Sequence, residues 1–209
     1  MKIFSFGLLC ILFCVLGHAQ GQKVVGDCTV TFNISSNDAA TNNNLSGAVK
    51  TLYIKGKIIR VDMNSAAFAQ SVIYNTTTGE AVILKELSGN KYLTKYDALK
   101  WKVQNNIYEG QKITYSNETK TILGYECKKG TAILKDGTTF TFYYTASITP
   151  SATENPYQFK DIPGFVLEYE ITGENKTSKI TYTAAVINFN PVPSSKFDIP
   201  ATGYRILNN

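Results

Sequence analysis

Histidine is almost missing from this chain: the single imidazole, His18, falls within the first twenty residues, and none follows it. A Ser-His-Asp or Cys-His nucleophile needs that ring to take its proton, and His-built zinc or Glu-x-x-His di-metal sites need it as a ligand. Those enzyme classes are excluded for the remainder, which leaves carboxylate chemistry, Ser-Lys chemistry or an all-oxygen metal site. Massed charge of one sign is also lacking. The formal net charge is +5, but the lysines come in ones and twos, Lys55 with Lys57 and Lys128 with Lys129 being the densest clusters. A nucleic-acid stripe needs basic residues gathered on one face, so no nucleic-acid partner is expected. No cofactor motif, internal repeat or low-complexity tract occurs.

Long apolar runs are limited to one, Ile3 to Leu16, which follows Lys2 and precedes Gly17-His18-Ala19. That order is the plan of a secretory leader cut after Ala19. The run is shorter than the roughly 20 residues that span a bilayer core, so an integral membrane anchor is not expected. Residues 20–209 then read as a single β-rich domain, long enough to bury a core. Leu9, Phe13 and Asp27 precede Cys10, Cys14 and Cys28, so no cysteine sits in a lipid-attachment context.

Only Cys28 and Cys127 lie beyond the leader. In an oxidising compartment two such cysteines read as one disulfide closing a long loop, with two buried thiols as the alternative.

What is present is alternation. Val30 to Ile34, Val49 to Asn64 around Lys55-Gly56-Lys57, Ala69 to Tyr74, Ala81 to Leu87 and Lys91 to Tyr96 carry the period-2 pattern of strands in a meander. Ser35 to Gly47 is Asn-rich and reads as a loop. Its Asp38 lacks the spacing of a calcium loop. Tyr96 to Asn106 fits a short helix capped by Asp97 and a strand equally well. Lys112 to Ser116 and Thr119 to Cys127 read as strands parted by Asn117-Glu118. A hairpin at Asp136-Gly137 then leads into Thr138 to Ser147. Pro150 and Pro156 bracket a crossing that no strand can traverse, and Ile162-Pro163-Gly164 feeds a strand from Phe165 to Ile171. Lys179 to Asn190 is apolar at both parities, as in a strand covered on both sides.

The run Thr119-Lys-Thr-Ile-Leu-Gly-Tyr-Glu-Cys127, the Tyr143-Tyr144-Thr145 strand and Ile162-Pro-Gly-Phe-Val-Leu-Glu168 resemble the exported Bacteroidetes proteins of the GLPGLI and DUF4412 type. The family's first motif glycine is replaced here by Asp161. The resemblance covers about half the chain and implies a lipoprotein-carrier-like fold, a curved antiparallel sheet or open half-barrel with at most one or two short helices. It also implies residence in the periplasm or at the outer membrane, or outside the cell. In such a bacterial chain the sequons at Asn33, Asn44, Asn75, Asn117 and Asn175 arise by chance from an Asn- and Thr-rich composition.

Chemistry-bearing candidates are few. Glu168 and Glu170 project from one face of a strand, as a carboxylate pair must, though solvent-facing charge explains them equally. Ser194-Ser195-Lys196 lacks Ser-x-x-Lys spacing. A catalytic site is therefore not expected. The surplus of 13 Tyr and 11 Phe is consistent with an apolar pocket on a bent sheet or with a filled core. If a ligand such as a lipid or lipoprotein acyl chain is bound, Phe140, Phe142, Tyr144, Phe165 and Leu167, with Trp101, are the expected wall. An envelope protein partner bound through a sheet edge or loops is the alternative.

Overall fold

The computed structural model describes residues 22–66, 68–172 and 178–207. The expected leader and the turn at Gly173-Glu-Asn175 lie outside them. Among the described residues, fourteen strands and two short helices follow in chain order: β1 (Lys23–Val25), β2 (Asp27–Ser36), α1 (Ala39–Asn44), β3 (Val49–Lys55), β4 (Ile58–Asn64), β5 (Phe68–Asn75), β6 (Ala81–Leu87), β7 (Asn90–Tyr96), α2 (Ala98–Gln104), β8 (Lys112–Ile122), β9 (Tyr125–Ile133), β10 (Thr139–Thr145), β11 (Ile148–Pro150), β12 (Phe165–Thr172), β13 (Lys179–Asn188) and β14 (Arg205–Leu207). Twelve strands form one open sheet in the order β14-β7-β6-β5-β4-β3-β2-β13-β12-β10-β9-β8, while β1 pairs with β11 alone. The expected mainly β, unclosed sheet is what forms. It is mixed rather than wholly antiparallel, because β14 lies parallel to β7.

The meander follows the alternation closely. Cys28, Val30 and Phe32 of β2 face Ile54, Leu52 and Lys50 of β3 across the inner face of the sheet. Three departures from the sequence reading have local causes. The strand expected from Thr119 to Cys127 is broken by a turn at Leu123-Gly124, whose φ values of 51° and 81° match the type I′ hairpin. β8 instead runs through Asn117-Glu118 as one strand with a bulge between Tyr115 and Thr119. β13 is not covered on both sides: a bulge between Ala184 and Val186 resets its alternation and leaves Val186 56% exposed on the outer face.

The Asn-rich stretch holds a six-residue helix, α1, capped by Asp38, whose Oδ2 accepts from the Thr41 N–H at 2.7 Å. The ambiguous stretch after Tyr96 resolves as α2. Asp97 caps it by accepting from the Lys100 N–H at 2.8 Å.

The main core lies on the inner face, beneath the irregular crossing from Ser151 to Gly164. Ala152, Phe159 and Ile162 of that crossing pack with Phe142, Tyr144, Phe165 and Leu167. The Ile162-Pro163-Gly164 step explains its own composition. Gly164 has φ 148°, and a Cβ there would collide with the Thr145 carbonyl, so the crossing enters β12 against the β10 backbone only as glycine. Asp161 sits at φ 62°, where glycine or a short polar side chain is tolerated. A smaller cluster of Ile73, Val82, Leu84 and Leu93 lies on the outer face, covered by Phe197 and Tyr204 of the C-terminal segment.

The disulfide expected between Cys28 and Cys127 is not formed. Both are free and fully buried. β13, β12 and β10 stand between β2 and β9, four spacings of about 4.8 Å along the sheet, whereas bridged Cα atoms lie within roughly 7 Å.

Candidate functional site

Two cross-strand rows define the inner face. Ile54, Ile59, Tyr74, Ala81 and Tyr96 form one, and Leu52, Val61, Val72, Ile83 and Thr94 the other. Leu52, Ile54 and Ile59 are sealed, but Val61, Met63, Val72, Ile83, Tyr92 and Tyr96 remain only half-buried. The crossing packs over the core from β3 through β10 and reaches β5 at its edge, where Tyr157 hydrogen-bonds Tyr74 and Asn155 and Gln158 line a cavity with Val72, while Ile83 and Tyr92 beyond it stay half-buried. The inner face thus has a plugged half and an open half.

At the border lies a cavity of about 160 Å³. Its apolar wall is Ile59, Val61, Val72, Tyr74 and Trp101, and its polar end is Asn105, Glu154, Asn155 and Gln158. Trp101 projects from α2 over the sheet, its ring 6.1 Å from that of Tyr74 and 5.4 Å from that of Tyr96. Asn105 is tied by its Nδ2 to the Trp101 carbonyl and accepts from Asn155 Nδ2, linking α2 to the crossing.

Beside the cavity, the crossing is pinned by an ionic contact inside the core. Lys50 of β3 is 1% exposed. Its Nζ donates to Glu154 Oε1 and to the Tyr169 hydroxyl, which itself donates to Glu154 Oε1 at 2.9 Å. Phe32, Tyr169 and Tyr182 place their rings around the ammonium at 4.6, 4.5 and 4.7 Å. Burial pushes the Lys50 pKa down, opposed by Glu154, and pushes the Tyr169 phenol well above its ordinary range. The Tyr182 phenol is pushed up to about 12 by burial and by the Glu154 charge. The pin joins a strand residue to a loop residue 104 positions away. The alternation expected from Val49 to Asn64 carries Lys50 onto the same apolar face as Leu52 and Ile54. No signal marked Glu154.

The expected ligand wall divides between the two halves. Phe140, Phe142, Tyr144, Phe165 and Leu167 are together, buried under the crossing in the plugged half. The Phe142 ring lies over Gly130, where any Cβ would collide with it. Trp101 stands apart from these five, at the cavity in the open half.

Glu168 and Glu170 do share the outer face, but each is engaged. Glu168 takes Lys120 Nζ at 2.6 and 2.7 Å and Thr183 Oγ1 at 2.8 Å, while Glu170 takes Thr141 Oγ1 and Lys179 Nζ. Glu118 beside them holds Lys129 and the Tyr143 hydroxyl, which lowers its own pKa and pushes the Tyr143 phenol up to about 12. This is a lattice of cross-strand ion pairs and hydrogen bonds. Ser194–Phe197 forms a 3-10 turn in which Lys196 lies over the Tyr53 ring. The thiols are shielded, burial pushing Cys28 up to about 12 and Cys127 to about 11. Among the described residues no group of three or more His, Cys, Asp or Glu is placed to hold a metal, and no helix is long and apolar enough to cross a membrane.

No family model and no curated protein matches the chain. Solved structures do. An uncharacterized conserved protein from Thermus thermophilus is 6% identical over 88% of this chain and 91% of that one, with a TM-score of 0.53. PNGF-II is 14% identical over 88% of this chain, with a TM-score of 0.45; the match takes in 32% of PNGF-II, so this chain spans about a third of its length. A putative outer membrane lipoprotein-sorting protein domain from Vibrio parahaemolyticus is 11% identical over 86% of this chain and 92% of that one, with a TM-score of 0.26. The likeness to the Thermus protein is one of fold alone, and the GLPGLI resemblance rests on its sequence motifs.

Proposed function

We propose that this chain is an exported, non-enzymatic envelope protein, one β-rich domain behind a cleaved leader, that binds an apolar ligand such as an acyl chain on the inner face of its sheet. The observation that carries this reading is the open half of that face. Val61, Met63, Val72 and Ile83 form a half-buried aliphatic floor, of which Val61 and Val72 line the cavity under Trp101. Drug-sized pockets usually hold about 300–1,000 Å³, so a cavity of about 160 Å³ takes only the end of an acyl tail, and the floor carries the rest. The polar end at Asn105, Asn155 and Gln158 would orient a ligand's amide, ester or hydroxyl group. Phe140, Phe142, Tyr144, Phe165 and Leu167 would join the wall only if the crossing moved aside. A lipoprotein would be bound through its acyl groups.

The test uses Trp101, the one tryptophan in the chain. Titration with oleyl alcohol or oleate is expected to shift its emission saturably, and Val72→Asp with Ile83→Asp is expected to abolish the shift. Native mass spectrometry of protein from its own host should show a co-purifying lipid. A silent Trp101 together with ligand-free protein would sink the reading. One observation favours a protein-interaction module instead: β8, the longest strand among the described residues, is an outer strand of the sheet, paired there only with β9 and exposed along nearly its whole length. Pull-down of a stable complex lost on placing proline in β8 would favour that alternative.

A further inference from the structure

The helix at the mouth of the open half presents most of its apolar side chains to solvent. α2 turns only Trp101 toward the sheet. Leu99 and Val103, one turn apart on the same outward side, are 72% and 57% exposed, and Ile107 on the adjoining 3-10 turn is 45% exposed. A surface helix of seven residues normally spends its large apolar residues on the core. Basic residues surround this stripe. α2 itself carries Lys100 and Lys102, both exposed, on either side of Trp101, with Asp97 at its cap. β14, paired to β7, adds Arg205 beside Tyr92 and a half-exposed Leu207 beside Thr94.

The geometry points to a membrane-docking surface, in which Leu99, Val103 and Ile107 enter the headgroup region of an anionic lipid bilayer while Lys100, Lys102 and Arg205 meet its phosphates. The charge balance selects the partner. Apolar side chains set among lysines on one rim match an interface whose surface is anionic and whose interior is hydrocarbon, and lysine stems reach along apolar surface while their ammonium groups stay in the headgroups. The stripe is too small for a stable protein interface, which buries about 1,200–2,000 Å². Shallow insertion of a few side chains with several lysines is enough for reversible membrane association. The surface goes beyond the ligand reading and does not require it. It also places the cavity mouth against the bilayer, so a ligand could pass between the two without crossing water.

Sedimentation of the full chain with vesicles tests this. Strong association is expected with vesicles of equal parts phosphatidylcholine and phosphatidylglycerol, with little association to pure phosphatidylcholine, and it should weaken as salt rises. Leu99→Ser with Val103→Ser should lower the partition coefficient by about tenfold or more, since each loses an inserted side chain. Lys100→Gln with Lys102→Gln should lower it several-fold on anionic vesicles only. These side chains are exposed, so circular dichroism and the unfolding midpoint should be those of the parent. The proposal is overturned if anionic vesicles do not bind, if the Leu99/Val103 variant binds as well as the parent, or if the stripe proves to mediate self-association in sedimentation velocity.

Discussion

Val30 and Leu52 are sealed, whereas Val61, Val72 and Ile83, the same residue types continuing one cross-strand row, stay half open. Nothing within the strands separates these two sets. What separates them is the crossing from Ser151 to Gly164, which lies over the first set and only edges the second, leaving a cavity beside Val61 and Val72. Burial on a sheet face is decided by what comes down on it, and that element carries no periodicity of its own. The two halves consequently differ in kind: one is a packed core with an ionic pin, and the other is an apolar surface beside a cavity and a cationic helix.

The sharpest way to break the contrast is at the pin. Lys50→Met leaves the Glu154 carboxylate inside the core without its cation, and a loss on the order of 4 kcal/mol is expected in urea unfolding. Lys50→Met combined with Glu154→Leu should recover most of that, because an apolar pair replaces the ionic one at little net cost. A double variant as unstable as the single one would show that the pin does more than offset its own desolvation.

Next in size is truncation. Phe142→Ala, fully buried among Phe140, Tyr144 and Tyr115, is expected to cost about 3–5 kcal/mol. Ile83→Ala in the open half should cost about 1 kcal/mol or less, as its side chain already meets water. Equal losses at the two positions would mean that the open half is covered in solution.

Alkaline pH provides a third contrast. The thiols of Cys28 and Cys127 are raised from 9.0 to about 12 and about 11, and the Tyr182 phenol from 10.0 to about 12, all first by burial. A group raised on folding contributes stability that is whole below its unfolded pKa and is lost as pH climbs through its folded value, since the unfolded chain releases the proton first. Lys50 works in the opposite sense. Its folded pKa is lowered, so the unfolded chain holds that proton up to 10.5 and stability from this group rises with pH until then. The sum should fall steeply above about 10.5, and chemical unfolding followed from pH 8 to pH 12 checks it. Substituting Cys28 by Ala should flatten the descent.

The smallest expected effect is none. Because Cys28 and Cys127 are not bonded, dithiothreitol should leave the unfolding midpoint unchanged, and a drop on reduction would restore the bridge.

Much of the sheet was legible because strand alternation is a local property. Leu52 with Ile54, Ile59 with Val61, and the Asp136-Gly137 hairpin could be read within windows of a few residues. Register changes were less legible. The bulge at Ala184 to Val186 resets parity where β13 pairs with the distant β2, the bulge at Tyr115 to Thr119 resets it inside the β8–β9 hairpin, and the turn of that hairpin at Leu123 is set by a positive φ that leucine rarely adopts. The candidate site was half legible. Trp101 was named, but its companions Asn105, Glu154 and Gln158 were not, because their roles depend on a loop folding back over strands far away in sequence.

By itself the sequence determined that the chain builds β-strands, lacks imidazole after its first residues and carries an Ile-Pro-Gly step that must enter a strand as glycine. These follow from side-chain chemistry and backbone sterics acting over a few residues. Only the tertiary structure decided that the cysteines stay apart, that the aromatic side chains of β10 and β12 lie buried beneath the crossing, and that Lys50 is buried against Glu154. Those outcomes depend on which strand lies beside which and on where an aperiodic crossing settles. Packing across more than 100 residues of separation sets both, and no local pattern encodes them.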